Sequence, residues 1–322
     1  MSTMVANPNH IGCHTLGESE EFFAGTQTLE KDLIRICAEE ILGGDTEMQD
    51  GYVASGGTEA NIQATWIYRN YFLNECSAKR EEIAIFCSTD THYAIHKGAD
   101  LLCLDVFSLN IEMKTRNVTA ETLKNTLEKA KTEGKKHFIV FVNMATTMFG
   151  SVDNVNLFTS ILNDCGVSFK IHVDGAFGGF IYPFTAKDNL LTFKNPHITS
   201  FTLDAHKLAQ APCGIGIFLI RKNYISHVFT KEAQYVHGQD ITLVGSRSGA
   251  NAIAVWMILA TYGPHGWREK INTLIHRTNW LCEALTKTKS HLLQASTFKH
   301  CHHACPSNFK KTGRRISSGF GQ

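Results

Sequence analysis

Ser200-Phe-Thr-Leu-Asp204-Ala-His206-Lys207 decides how the rest of the chain is read. Its first residues have the apolar and β-prone character of a buried strand, and the run leaves that strand in a polar stretch ending in lysine. A lysine held in an apolar slot at a strand end loses the solvation of its ammonium. Its pKa falls, and the free amine becomes a nucleophile toward a carbonyl. A surface lysine at a strand end leaves the same signature, so these eight residues alone keep both readings open.

Working outward, Gly51-Tyr-Val-Ala-Ser55-Gly56-Gly57-Thr58-Glu59-Ala60-Asn61 reads as a short strand, a glycine turn and a helix start. Glycines there leave the first helical amides bare, and Thr58 adds a hydroxyl. Bare amides at the positive end of a helix dipole make an anion site, although a plain capped turn fits equally well. No Gly-Lys-Ser/Thr ending follows, so this is not a nucleotide P-loop. Glu82–Cys87 reads as a buried strand that delivers His92, placed to stack on a flat ring or to bond the start of the next helix. An edge strand and polar loop over 103–117 precede a helix capped by Thr119.

Phe138–Val142 is an apolar strand running into Thr146, and Val167–Val173 is another that ends at Asp174-Gly-Ala176. An acid at a strand's carboxyl end, followed by small residues, suits a carboxylate facing a ligand whose ring lies close to the backbone. It also suits a turn cap. Gly214–Ile220 is a further strand, 223–243 is loop-like, Gly245-Ser246-Arg-Ser-Gly249 opens a helix, and a long helix spans about 265–287. Alternation of strand and helix over about 50–220 predicts an α/β fold with a mostly parallel sheet flanked by helices. Ligands of such sheets sit at the carboxyl ends of strands. His92, Thr146, Asp174 and Lys207 all follow strands at that end, and four independent arrivals on one rim weigh more than any single motif.

Composition narrows the function classes. A net charge of +1 gives no global electrostatic case for nucleic acid or an anionic membrane surface. No apolar run reaches the length of a membrane span, and residues 1–10 lack the pattern of a secretion signal, so a cytoplasmic protein is expected. Ten cysteines without paired spacing suit a reducing compartment. Cys301, His302, His303 and Cys305 crowd one short run without zinc spacing, and no metal is expected.

A phosphate cradle, a stacking histidine, an aspartate and a lysine together suit pyridoxal phosphate: the lysine takes the aldehyde, and the aspartate keeps the pyridine nitrogen protonated. No Gly-x-Gly-x-x-Gly follows the first strand, so a dinucleotide has no place. Ser55-Gly-Gly-Thr58-Glu-Ala-Asn61, Asp90-Thr-His92-Tyr93, His172-Val-Asp174-Gly-Ala176, Asp204-Ala-His206-Lys207 and Gly245-Ser-Arg-Ser-Gly249 together resemble the group II pyridoxal-phosphate-dependent amino acid decarboxylases of fold type I, over roughly residues 15–285. The string after Lys207 and the Gly245-Ser-Arg motif are similar to the histidine and serine decarboxylase branch. The resemblance implies that Lys207 is the Schiff-base lysine, that Asp174 pairs with the ring nitrogen, and that Ala176 and His92 pack on the ring. It places Gly57, Thr58 and His206 at the phosphate and Thr146 at the ring's polar edge. It also implies a homodimer with the site at the interface, where Ser246 reaches the partner's phosphate.

The expected reaction takes the carboxylate from an L-amino acid. Tyr235, His237 and Lys207 compete to return the proton to Cα, with Tyr235 preferred. A carbon–carbon lyase of phosphorylated amino alcohols, an aminotransferase and an inactive cofactor-binding scaffold use the same residues. The chain divides into an N-terminal arm and helix (1–45), a large cofactor domain (46–262), the start of an incomplete small C-terminal domain (263–297) and a disordered or altered tail (298–322).

Overall fold

A computed structural model describes residues 9–11, 24–186, 188, 190–230, 240–287, 292–294 and 301–303. In chain order the elements are β1 (Asn9–Ile11), α1 (Ala24–Arg35), β2 (Gln49–Ala54), α2 (Gly57–Glu75), β3 (Ile83–Ser88), α3 (Ala94–Leu102) and β4 (Asp105–Leu109). There follow α4 (Ala120–Thr132), β5 (His137–Asn143), α5 (Val155–Asp164), β6 (Ser168–Gly175), α6 (Tyr182–Thr185), β7 (Ile198–Asp204) and β8 (Gly216–Arg221). Last come β9 (Ser246–Ser248), α7 (Gly249–Lys287), β10 (Leu292–Gln294) and β11 (Cys301–His303).

Seven strands form one sheet in the order β2-β8-β7-β6-β5-β3-β4. Neighbours from β4 to β7 pair in parallel, while β8 runs antiparallel to both β7 and β2. Helices cover both faces, which is why β3 and β7 are buried at every position and read as continuous apolar runs. Successive residues serve opposite cores. Phe86, Val140, Val173 and Leu203 pack with Leu33, Leu123, Phe158 and Val255, whereas Ile85, Ile139, Phe141 and Phe218 pack with Ala64, Tyr68, Phe72 and Ile95.

Several boundaries differ from the sequence reading. The expected helix over 26–42 becomes α1 followed by a π-helical turn, Ile36–Ile41, so its 3.6-residue period slips at the end. Ser246–Ser248 is not the helix start expected there. It is a strand paired antiparallel with β1, His10 opposite Arg247, and the helix begins at Gly249. Arg247 forces the extended backbone by reaching inward: its guanidinium pairs with Glu30 and donates to the Val53 carbonyl at 2.9 Å. Helix α7 breaks at Gly263 (φ 57°, ψ 179°), a conformation that favours glycine, and Pro264 cannot carry the helical hydrogen bond across. β10 pairs antiparallel with β11. Among the described cysteines, 37, 76, 87, 103, 165 and 213 are free, while Cys282 is disulfide-bonded. No helix among the described residues is long and apolar enough to cross a membrane.

The Glu30–Arg247 pair is the main charged contact between α1, β2 and β9, and Glu30 is 0% exposed. Removing one member of a buried pair strands the other charge. Glu30→Ala is therefore expected to cost about 3–5 kcal/mol in urea unfolding. A loss below about 1 kcal/mol would show that water reaches Arg247.

Candidate active site

Because β2, β3, β5, β6 and β7 all point the same way, their carboxyl ends share one rim. A cavity of about 510 Å³ opens there, within the range of small-molecule sites. It is lined by Gly57 and Thr58 after β2, His92 after β3, Thr146 after β5, Asp174 and Ala176 at the end of β6, and His206 and Lys207 after β7. Eight of the residues singled out from sequence thus meet in one place. Ser246 is exposed and does not line this cavity, and Tyr235 lies outside the described residues.

At the glycine turn, Gly56 (φ 141°) starts α2 without any side-chain cap, and the first helical bond is Ala60 N–H to Gly56 O at 3.2 Å. The amides of Gly57 to Glu59 therefore precede the helical ladder, as an anion cradle requires. Glu59 braces the turn from behind. Its carboxylate accepts from Ser55 N–H at 2.7 Å, the Ser55 hydroxyl at 2.6 Å and the Tyr52 hydroxyl at 3.0 Å. The sequence reading quoted Glu59 inside a motif but gave it no task. Gly57 is required by close approach, since a Cβ there would meet the Asp204 carboxylate at 2.9 and 3.1 Å.

Of the two readings open for Lys207, the structure shows the partly exposed one. Its Nζ lies 3.1 Å from Asp204 Oδ2, and the side chain is 30% exposed. The reason is local: the turn after β7 folds Lys207 back over the last residue of its own strand. His206 Nε2 lies 3.7 Å from the same oxygen, while its Nδ1 lies 2.9 Å from Ile215 O. Burial pushes the Asp204 carboxyl up, Lys207 and His206 pull it back, and Asp174 adds to the rise.

Asp174 also lines the cavity and accepts from Asn61 Nδ2 at 2.9 Å and from Ala176 N–H at 3.1 Å, the second bond capping the turn after β6. His92 lines the cavity and also bonds the start of the next helix, its Nδ1 accepting from Ala94 N–H at 3.2 Å. The Thr146 hydroxyl is held by Ser151 Oγ at 2.7 Å.

Two supports escaped the sequence because their partners lie far along the chain. Asp90 pairs with Arg116 at 2.5 and 3.0 Å, and that guanidinium lies 3.7 Å from the Phe149 ring, tying three loops beside His92. Asn143 donates to Asp153 at 2.7 Å and to Thr91 Oγ1 at 2.9 Å. Burial, opposed by those bonds from Asn143, pushes the Asp153 carboxyl up to about 6.

These residues fit pyridoxal phosphate. The uncapped amides suit its phosphate, the Asp174 carboxylate suits its ring nitrogen, and the Lys207 amine suits its aldehyde. Asp204 Oδ1, beside that amine, is buried with no hydrogen-bond partner. Fold and site together suit a pyridoxal-phosphate enzyme of fold type I. The pyridoxal-dependent decarboxylase conserved domain matches residues 29–304, and the chain belongs to that family.

Tryptophan decarboxylase of Clostridium sporogenes is 53% identical over 285 residues, covering 88% of this chain and 68% of that protein. Serine decarboxylase 3 of Oryza sativa subsp. japonica is 33% identical, covering 72% of this chain and 49% of that protein. The resemblance to the serine branch thus stands beside a higher identity to a tryptophan decarboxylase. The sphingosine-1-phosphate lyase structure from Burkholderia pseudomallei matches with a TM-score of 0.72 at 23% identity, over 86% of this chain and 64% of that one, which is a likeness of fold. The chain spans about half to two thirds of the length of these proteins.

A pH dependence follows from Asp153. The folded protein keeps its proton up to about pH 6, while the unfolded chain releases it near 3.8. The group therefore favours the fold below that window, and the contribution is lost as pH rises through it. The stability of the wild type relative to Asp153→Asn is expected to fall between about pH 4 and pH 6 and then level off, measured by urea unfolding. A gap that grows in favour of the wild type with rising pH would contradict this.

Proposed function

We propose that the protein decarboxylates an aromatic L-amino acid, L-tryptophan first, releasing the amine and carbon dioxide. The observation that carries this is the 53% identity to a tryptophan decarboxylase over 88% of the chain. The cavity supports it. Ile62, Tyr93, Phe177, Leu243 and Val244 give it an apolar wall suited to an indole. Among its described lining residues, the cationic or titratable basic groups are Lys207, His92 and His206, each already placed at the cofactor, so nothing there is left to hold an acidic side chain.

When bound, pyridoxal phosphate supplies a ring that accepts the electron pair left by the departing carbon dioxide. The chain does the rest. The α2 amides and Thr58 hold the phosphate, and His92 and Ala176 confine the ring between them. Lys207 would provide the amine that holds the aldehyde, and Asp204, 3.1 Å away, would pair with that amine when it is free. The apolar wall would hold the substrate's side chain and so orient the bonds at Cα. Tyr235 returns the proton to Cα.

The site belongs to a cytoplasmic homodimer in which Ser246 of each chain serves the phosphate of the other. Tyr93, Leu243 and Val244 are 64%, 42% and 56% exposed around the cavity, an apolar rim suited to a covering partner. Residues 46–262 form the cofactor domain, with the arm before it and a smaller C-terminal part after it. The lyase reading has a likeness of fold alone behind it. The scaffold reading predicts cofactor binding without carbon dioxide release.

Carbon dioxide release from the purified protein is expected to favour L-tryptophan over serine, histidine and glutamate by at least tenfold in kcat/KM. A preference for another amino acid overturns the substrate, and release from none moves the scaffold reading ahead. Tyr235→Phe should retain the cofactor and lose turnover by about 100-fold or more, with aldehyde by-product appearing. Normal turnover without by-product would remove Tyr235 from this role.

A further inference from the structure

Behind Asp174 runs a line of buried polar side chains that the chemistry above does not use. The Tyr68 hydroxyl on α2 makes a short hydrogen bond with Ser200 Oγ on β7. Ser200 Oγ lies 2.6 Å from His172 Nδ1 on β6. His172 Nε2 lies 3.0 Å from Asn61 Oδ1 and 3.0 Å from Thr202 Oγ1, and Thr202 donates to Asn61 Oδ1 at 2.8 Å. Asn61 Nδ2 then reaches Asp174 Oδ2 at 2.9 Å. Tyr68, Ser200, His172 and Thr202 are 0% exposed and Asn61 is 2% exposed. Phe141 and Phe218 flank the imidazole at 5.1 and 6.4 Å between ring centres.

One fact orients the whole line. Asn61 turns its amide nitrogen to Asp174, donating to Oδ2 at 2.9 Å. Its carbonyl oxygen, only an acceptor, then faces His172 and Thr202. His172 must therefore carry its proton on Nε2 and accept at Nδ1. Ser200 donates to that Nδ1, and its oxygen in turn accepts from Tyr68. Every donor points toward Asp174. Burial in this apolar sandwich holds the imidazole down to about 3, so it stays neutral at working pH. A charged ring would donate from both nitrogens and reverse the Tyr68–Ser200 leg.

We propose that Tyr68, Ser200, His172 and Asn61 form a one-way donor relay that locks the orientation of Asp174, turning its free lone pairs to the cofactor's ring nitrogen. These are positioning residues, since they act through Asp174. The proposal rests on the cofactor assignment and is independent of which amino acid is the substrate.

The first test needs no variant and no cofactor. In 15N-histidine NMR of the wild-type protein stripped of cofactor, the slowly exchanging buried imidazole is expected to show the Nε2–H tautomer, unchanged between about pH 5 and pH 8. An Nδ1–H tautomer, or titration in that range, overturns the relay.

The second test separates orientation from folding. Asn61→Ser should raise the Kd for pyridoxal phosphate at least tenfold, because a bond to a charged group is lost, while the Kd for inorganic phosphate at the glycine turn stays within about twofold. His172→Gln, which keeps one donor and one acceptor, should bind pyridoxal phosphate more tightly than His172→Leu by about tenfold. Equal weakening toward both ligands in Asn61→Ser, or equal affinities in the two His172 variants, would assign these residues to folding alone and overturn the proposal.

Discussion

The site depends on the register of three parallel strands. Asn143 on β5 stands opposite Asp174 on β6, which stands opposite Thr202 on β7. That row brings the carboxylate meant for a ring nitrogen level with the start of the turn that carries Lys207. A slip of one residue would turn Asp174 to the opposite face of the sheet, because side chains alternate along a strand. The continuous burial of β7 and of the last five residues of β6 resists such a slip, since it would also exchange Val173 and Phe201 between cores.

Around that row the fold gathers carboxylates that would repel one another if left bare. Each is held by a different device. Asp174 accepts from an amide side chain and a backbone N–H, Asp204 is met by Lys207 and His206, and Asp90 is clamped by Arg116. Asp153 sits in a dry setting where its proton is held more tightly than usual. The cavity thus keeps one fixed anion for a ring and one anion beside an amine, with neutral donors filling the gaps. Water-poor surroundings strengthen each of these contacts, and the same surroundings would make any lost partner costly.

What the sequence disclosed was what lies close together along it. Gly57 and Thr58, His92, Asp174 and Ala176, and His206 and Lys207 each sit within a few residues of a strand end, and the strands were recognisable because both faces are buried. What it did not disclose were contacts made across the fold. Arg116 meets Asp90 from 26 residues away, and Asn61 meets Asp174 from 113 away. The Ser246–Ser248 strand was mistaken for a helix start because its partner is a three-residue strand near the N-terminus, and its cause, a buried Arg247, has no local signal. Residue order alone leaves both settings of Lys207 open, since it does not reveal that the turn folds the side chain back over Asp204.

The central claim is that five strand ends assemble one pyridoxal phosphate site around Lys207. It is tested most directly by reducing the purified, cofactor-loaded protein with borohydride and mapping the modified peptide. The account predicts a visible absorption band that disappears on reduction, with the pyridoxyl group fixed to Lys207 alone. A protein that takes up no chromophore from added pyridoxal phosphate, or one labelled at another lysine, would contradict it.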